Sequence, residues 1–261
     1  MAELQVGTVL LQWAAGGLFA GWITTRRRML GTGYGWLVRG AFIVLALGGL
    51  VAGVAGDDSG GGAVVRDVGG AVMALLAVFA LTVSVRRRRV PVDDRERGFP
   101  PLLDLLPPIA GIVALLGAAD AAGGPYALTA ARLLVGAIFI GLVTDSMLLG
   151  HWYLVQPGLS RDPIKELVRL VTIAWPVEVA LWLVPTGMID VFQGKVDDGY
   201  DGLIGVTWVV SALTTIALAL VARHALREPY YSAVMATTGL LYLAILTGFG
   251  TELLPRALLA P

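Results

Sequence analysis

Two carboxylates sit inside long apolar runs. Asp145 lies in Leu142-Val143-Thr144-Asp145-Ser146-Met147, and Glu178 in Trp175-Pro176-Val177-Glu178-Val179-Ala180. An acid among lipid tails is costly, so such groups pair, hold a proton or face a wet cavity. Trp175, Glu178 and Trp182 fall at i, i+3 and i+7 and share one helical face. Pro176 removes a backbone donor beside the acid and predicts a kink. Two readings of Glu178 follow. It relays protons or contacts a polar ligand, or it is a neutral acid bonded to a carbonyl freed at the kink. Asp145, flanked by Thr144 and Ser146, has a similar pair of readings. It lines a cavity, where it binds a cation or passes a proton, or it hydrogen-bonds a neighbouring helix.

His151 opens the string Gly150-His151-Trp152-Tyr153-Leu154-Val155-Gln156-Pro157. It stands six residues after Asp145, about 120° around an ideal helix, so the two face different directions. His224, in Ala222-Arg223-His224-Ala225, is the second of only two histidines. If both lie at one membrane level, they can flank a quinone headgroup, with Trp152, Tyr153, Tyr230 and Tyr231 as aromatic surface. They can also ligate a b-type haem, the weaker case, because axial ligation demands facing imidazoles. The bland alternative is an interfacial aromatic belt and histidines favoured by helix carboxyl-end dipoles.

These residues are carried by a strongly apolar chain. Hydrophobic residues make up 57% of its 261 positions and charged residues 15%, where a soluble domain carries about 25% charge. Mean hydropathy is +0.78. About 20 apolar residues cross a bilayer as a helix, and eight runs qualify: near 5–25, 35–55, 69–85, 102–122, 129–151, 166–188, 202–223 and 231–252. They are too long and too continuously apolar for barrel strands. The third enters softly through Gly69-Gly70, after an outer loop near 56–68 whose Gly60-Gly61-Gly62 predicts mobility. Pro107-Pro108 predicts a break near the inner end of the fourth, with Asp104 at the interface. The 34 glycines suit close helix packing in lipid.

Arginines set the expected orientation. With the amino terminus outside, inner connectors hold 15 of the 19 Lys and Arg residues. They include Arg26 to Arg28, Arg39, Arg86 to Arg89, Arg95, Arg97, Arg161, Lys165, Arg169, Arg223 and Arg227. Arg66, Arg132, Lys195 and Arg256 fall outside, with Asp57, Asp58, Asp67, Asp190, Asp197, Asp198 and Asp201. The positive-inside rule then places both termini on the outer side of a cytoplasmic or inner membrane. Arg39 and Arg132 are expected to snorkel to the inner and outer surfaces. No basic residue precedes the first apolar run, so a cleavable signal is not expected there.

Absent motifs narrow the chemistry. With no cysteine, thiol catalysis, Cys-ligated zinc and Cys-ligated clusters are excluded. No Walker loop, dinucleotide fingerprint, zinc helix or serine elbow occurs. Basic residues form short clusters and no long face, which argues against nucleic acid.

Residues 16–25, GGLFAGWITT, resemble residues 136–145, GAIFIGLVTD, at Gly16/Gly136, Phe19/Phe139, Gly21/Gly141 and Thr24/Thr144. A parallel repeat of four plus four helices, with halves 1–124 and 125–261, is one explanation. Chance recurrence of small residues in lipid helices is the other.

The sequence thus predicts an all-α, polytopic integral membrane protein of eight transmembrane helices. Three functions fit. The first is a membrane subunit of a respiratory, redox or other energy-transducing assembly. It would hold a quinone near the cytoplasmic side with His151, Trp152, Tyr153 and His224, while Asp145 and Glu178 pass protons. This rests on architectural analogy to eight-span quinone-binding subunits, with no shared motif. The second is a proton-coupled transporter or channel for an ion or small solute. The third is a structural or assembly subunit. The expected partners are the lipid bilayer and either other membrane subunits or a second copy of the chain.

Overall fold

The computed structural model describes residues 5–56, 60–87, 100–185 and 187–259. Asp57, Asp58, Arg88, Arg89, Arg95 and Arg97 lie outside the described residues. Within them the chain is helical: α1 (Val6–Thr25), α2 (Thr32–Ala55), α3 (Gly61–Arg87), α4 (Pro101–Ala122), α5 (Tyr126–Val155), α6 (Asp162–Leu183), α7 (Gly187–Phe192), α8 (Leu203–Ala225) and α9 (Tyr231–Leu259). Seven of these, α1 to α5 with α8 and α9, are long and apolar enough to cross a membrane. The protein is a multi-pass helical membrane protein. Its outward surface carries Val44, Val51, Leu75, Val210 and Leu246, an apolar coat that suits lipid. Its interior is rich in Ala, Gly and Thr, which lets helices approach closely.

The sixth expected span is the exception. Residues 162–183 form α6, but Asp162, Lys165, Glu166 and Arg169 make its first turns polar. The helix nevertheless runs alongside α5 in the opposite sense. Arg161, just before α6, donates to the carbonyls of Glu228 and Pro229 at 2.7 Å each. At the other end, Arg132 near the start of α5 donates to Leu181 and Val184 of the α6 terminus.

The helices fall into two groups with one contact order. In the first, α1 packs on α2 and α4, α2 on α3, and α3 on α4. In the second, α5 packs on α6 and α9, α6 on α8, and α8 on α9. The groups meet along α1 and α5. There the backbone of Gly16 lies against Ala137 and Gly141 so closely that a Cβ on Gly16 would overlap the Ala137 carbonyl.

Several boundaries differ from expectation for packing reasons. Gly61 and Gly62 belong to α3, eight residues before the expected start of that span. Gly62 is buried because it abuts the α4 backbone at Gly117 and Ala121. Arg66 and Asp67 are therefore helical, and Arg66 is buried, bonding Asp67 at 2.8 Å and the Gly53 carbonyl at 3.1 Å. Helix α4 continues through Pro107 and Pro108. Helix α9 extends to Leu259 and brings Glu252 and Arg256 into the bundle.

Of the expected outer aspartates, Asp198 shapes the connector before α8. Its Oδ1 accepts from the backbone N–H groups of Tyr200 and Gly202, and its Oδ2 from that of Ile204, each at 2.9 Å. These donors, led by Gly202 and Tyr200, hold its carboxyl below the ordinary aspartate range.

Candidate functional sites in the bundle interior

Asp145 and Glu178 are both fully buried, and the fold puts them in separate polar clusters. Helix α1 contributes to both, through Gln12 in one and Thr24 and Thr25 in the other. Twelve residues of helix separate these levels, about 18 Å.

The cluster around Asp145 draws on α1, α2, α4 and α5. Tyr34 donates to Asp145 Oδ1 at 2.6 Å, and Thr24 Oγ1 donates to Oδ2 at 3.3 Å. Beside them Arg39 grips Asp104 with two parallel bonds, Nε to Oδ1 at 2.6 Å and Nη2 to Oδ2. The same guanidinium donates to Thr25 Oγ1 at 2.8 Å and to the Gly35 carbonyl at 3.0 Å. Arg39 and Asp104 are 2% and 4% exposed, so neither reaches the surface. The snorkelling expected of Arg39 and the interfacial place expected of Asp104 both give way to this pair. Burying a guanidinium is costly unless a matched acceptor meets it, and Asp104 provides one. Thr144 and Ser146 bond back to Ile140 and Leu142 in their own helix. Thr144 also accepts from the Trp13 indole at 2.9 Å.

The cluster around Glu178 joins α1, α5, α6 and α9. The Trp182 indole N–H is shared, 2.7 Å from Glu178 Oε1 and 3.3 Å from Glu252 Oε2. Gln12 donates to Glu252 Oε1 at 2.7 Å and to the Leu133 carbonyl at 3.0 Å. Arg256 donates to Gln12 Oε1 at 2.6 Å and stands 3.7 Å from Glu252 Oε1. Arg132 lies over the Trp182 ring at 4.6 Å while capping the open carbonyls at the end of α6. Its guanidinium thus turns inward, where surface snorkelling was expected. Gly136 makes the space: a Cβ there would come within 2.5 Å of Gln12 Nε2 and Glu252 Oε1. Glu178 Oε2 alone, among buried side-chain polar atoms of the described residues, has no hydrogen-bond partner.

Trp175 turns from Glu178 to α8, where its indole donates to the Ala212 carbonyl at 2.9 Å. Glu178 takes Trp182 and Glu252 as neighbours, and no carbonyl partner of the kind expected at Pro176 is found among the described residues.

The other candidates scatter. His151 is exposed and its Nδ1 meets the Tyr242 hydroxyl at 3.0 Å. Trp152 leans on Tyr34, ring centroids 5.9 Å apart, and donates to Gln156. Tyr153 is buried and donates to the Ser160 carbonyl, and its own carbonyl accepts from Tyr231 at 3.1 Å. His224 is exposed in the last turn of α8. No hydrogen bond or ring contact among the described residues joins these four side chains to one another. An apolar groove of about 520 Å³ lies elsewhere, between α3 and α4 and lined by Val68, Val72 and Ile109 among others.

Glu252, Gln12 and Tyr34 were not singled out from sequence, and Thr24 only as a repeat position. Glu252 lay at the edge of the eighth expected span, where an acid reads as interfacial. Gln12 was a visible signal, as the one amide in the interior of the first apolar run.

Fold and interior together define a polytopic α-helical membrane protein with ionisable groups buried among its helices. The chain matches no known family, and no curated protein or solved structure is significantly similar to it.

Proposed function

We propose that the chain is a proton-handling membrane protein that couples proton movement to passage of an ion or small solute. The carrying observation is that Asp145 and Glu178, both fully buried, occupy separate hydrogen-bonded clusters at opposite halves of the central α1–α5 pair. Interior acids of this kind are the usual carriers of protons through helical bundles. Eight crossings in the inner membrane, with both termini outside, complete the reading. The antiparallel course of α6 along α5 supports the count, and the arginine distribution supports the orientation. The shared contact order of the two helix groups supports a four-plus-four duplication.

Proteoliposomes loaded with a pH-sensitive dye test this. Proton flux coupled to a solute or ion gradient is expected in the wild type, with at least a tenfold loss in Asp145→Asn and Glu178→Gln. Unchanged flux in both variants, or none in the wild type across a broad panel of gradients, overturns the proposal.

A second reading rests on the His151–Tyr242 contact, which is exposed at the expected inner end of the bundle. Such a pair can take a quinone headgroup from the bilayer, in a redox subunit. Quinone retained on purification and lost in His151→Ala would favour it.

A further inference from the structure

We infer that Glu178 and Glu252 form a single-proton site, a carboxylic acid donating to a carboxylate, enclosed by Trp182, Gln12 and Arg256. The inference deepens the proton-handling reading and names Glu252 as the partner at that site.

The argument is one of donors and acceptors. Each carboxylate oxygen in the inner cluster has a donor in reach: Asp145 has Tyr34 and a Thr24 hydroxyl shared with the Gly21 carbonyl, and Asp104 has Arg39. In the outer cluster, Glu252 receives Gln12 and Trp182. Glu178 receives Trp182 on Oε1 and nothing on Oε2. One indole N–H reaches both carboxyl groups, 2.7 Å from Glu178 Oε1 and 3.3 Å from Glu252 Oε2, so the two acids adjoin. If both were ionised, two like charges would face each other, and one would expose a bare oxygen to a dry interior. That carries the full desolvation penalty.

Every nearby cation is already engaged. Arg256 makes its short bond to Gln12 and stands 3.7 Å from Glu252, with Glu178 near enough to feel its charge but not to accept a bond from it. Arg132 donates to two backbone carbonyls and stacks on Trp182. Neither guanidinium donates to Glu178. A proton on Glu178 Oε2, given to Glu252, satisfies the orphan atom and removes the like-charge contact in one step. Glu252 is the charged member, because its other oxygen already faces Gln12 and Arg256.

This assignment predicts an asymmetry that ion pairing would not. Glutamine at 178 reproduces the protonated acid, with an oxygen accepting from Trp182 and an N–H donating to Glu252. Glutamine at 252 sets an amide N–H against the Trp182 or Gln12 donors. In detergent, Glu178→Gln is expected to unfold within about 2 °C of wild type, and Glu252→Gln about 5 °C or more below it. Infrared difference spectra of wild type against Glu178→Gln at neutral pH should show one protonated-carboxyl band, shifted by deuterium and missing in the variant. Equal destabilisation by both variants, or no such band, overturns the proton assignment. A band that is present while flux is unaffected would keep the site and sink the transport reading instead.

Discussion

The two buried clusters handle negative charge differently. On the expected inner side, Arg39 and Asp104 meet in a two-pronged pair, and both oxygens of the adjacent Asp145 accept hydroxyl donors. On the expected outer side, Glu178 and Glu252 share one indole, and the two guanidiniums are turned towards an amide and backbone carbonyls. Both clusters are walled by the same helices, α1 and α5. Burial alone therefore does not decide how an interior acid is neutralised. The residue type that the adjoining helices present at that level decides it: a guanidinium and hydroxyls in one place, a second carboxyl in the other.

The sharpest way to break this contrast is at Arg39. Arg39→Leu leaves Asp104 buried without its cation and should cost about 3–5 kcal/mol. Replacing Asp104 by leucine as well should recover much of that loss, because no unpaired charge remains. Thermal unfolding of both variants in detergent measures this. A double variant no more stable than the single one would show that packing, and not the pair, was at stake.

A smaller effect is expected at Tyr34. Tyr34→Phe keeps the ring against Trp152 and removes the 2.6 Å bond to Asp145. The orphaned oxygen should cost about 1–3 kcal/mol. It would also make Asp145 resemble Glu178, an acid with one unmet oxygen. Denaturation of this variant, compared with wild type, checks the magnitude. A loss below a few tenths of a kcal/mol would show that Asp145 finds its donor elsewhere.

The smallest expected effect lies outside the bundle, at Asp198. Its backbone donors lower its folded-state pKa below the unfolded value near 4. The resulting stabilisation is complete above that unfolded value and is lost as pH falls towards the folded one. Acidification below about pH 4 should therefore destabilise wild type more steeply than Asp198→Asn. Parallel pH-stability curves for the two proteins would remove Asp198 from the account.

Much of the frame was legible in the residues. Apolar runs marked the long helices, and only the sixth departs in hydropathy, through the charges of its first two turns. Isolated acids flagged Asp145 and Glu178, since a carboxyl among apolar neighbours stands out without any partner being known. Glu252 and Arg39 were harder. Each sits near the end of an apolar run, where a charge reads as interfacial, and only partners on neighbouring helices bury it. The glycine run at 60–62 divides: Gly60 keeps a loop conformation with φ +132°, Gly61 opens α3 exposed, and only Gly62 packs against α4.

The amino-acid order by itself settled that the chain folds as membrane-length helices and that a few ionisable groups must lie within them, because hydrocarbon demands long uncharged runs. Which groups meet was decided only by tertiary structure. Arg39 finds Asp104 across 65 residues, and Glu178 finds Glu252 on a different helix. Helices apolar nearly all round carry little periodic signal for the direction each face takes. Their rotation is fixed by backbone contacts such as Gly16 on Ala137, and those contacts exist only once the bundle has assembled.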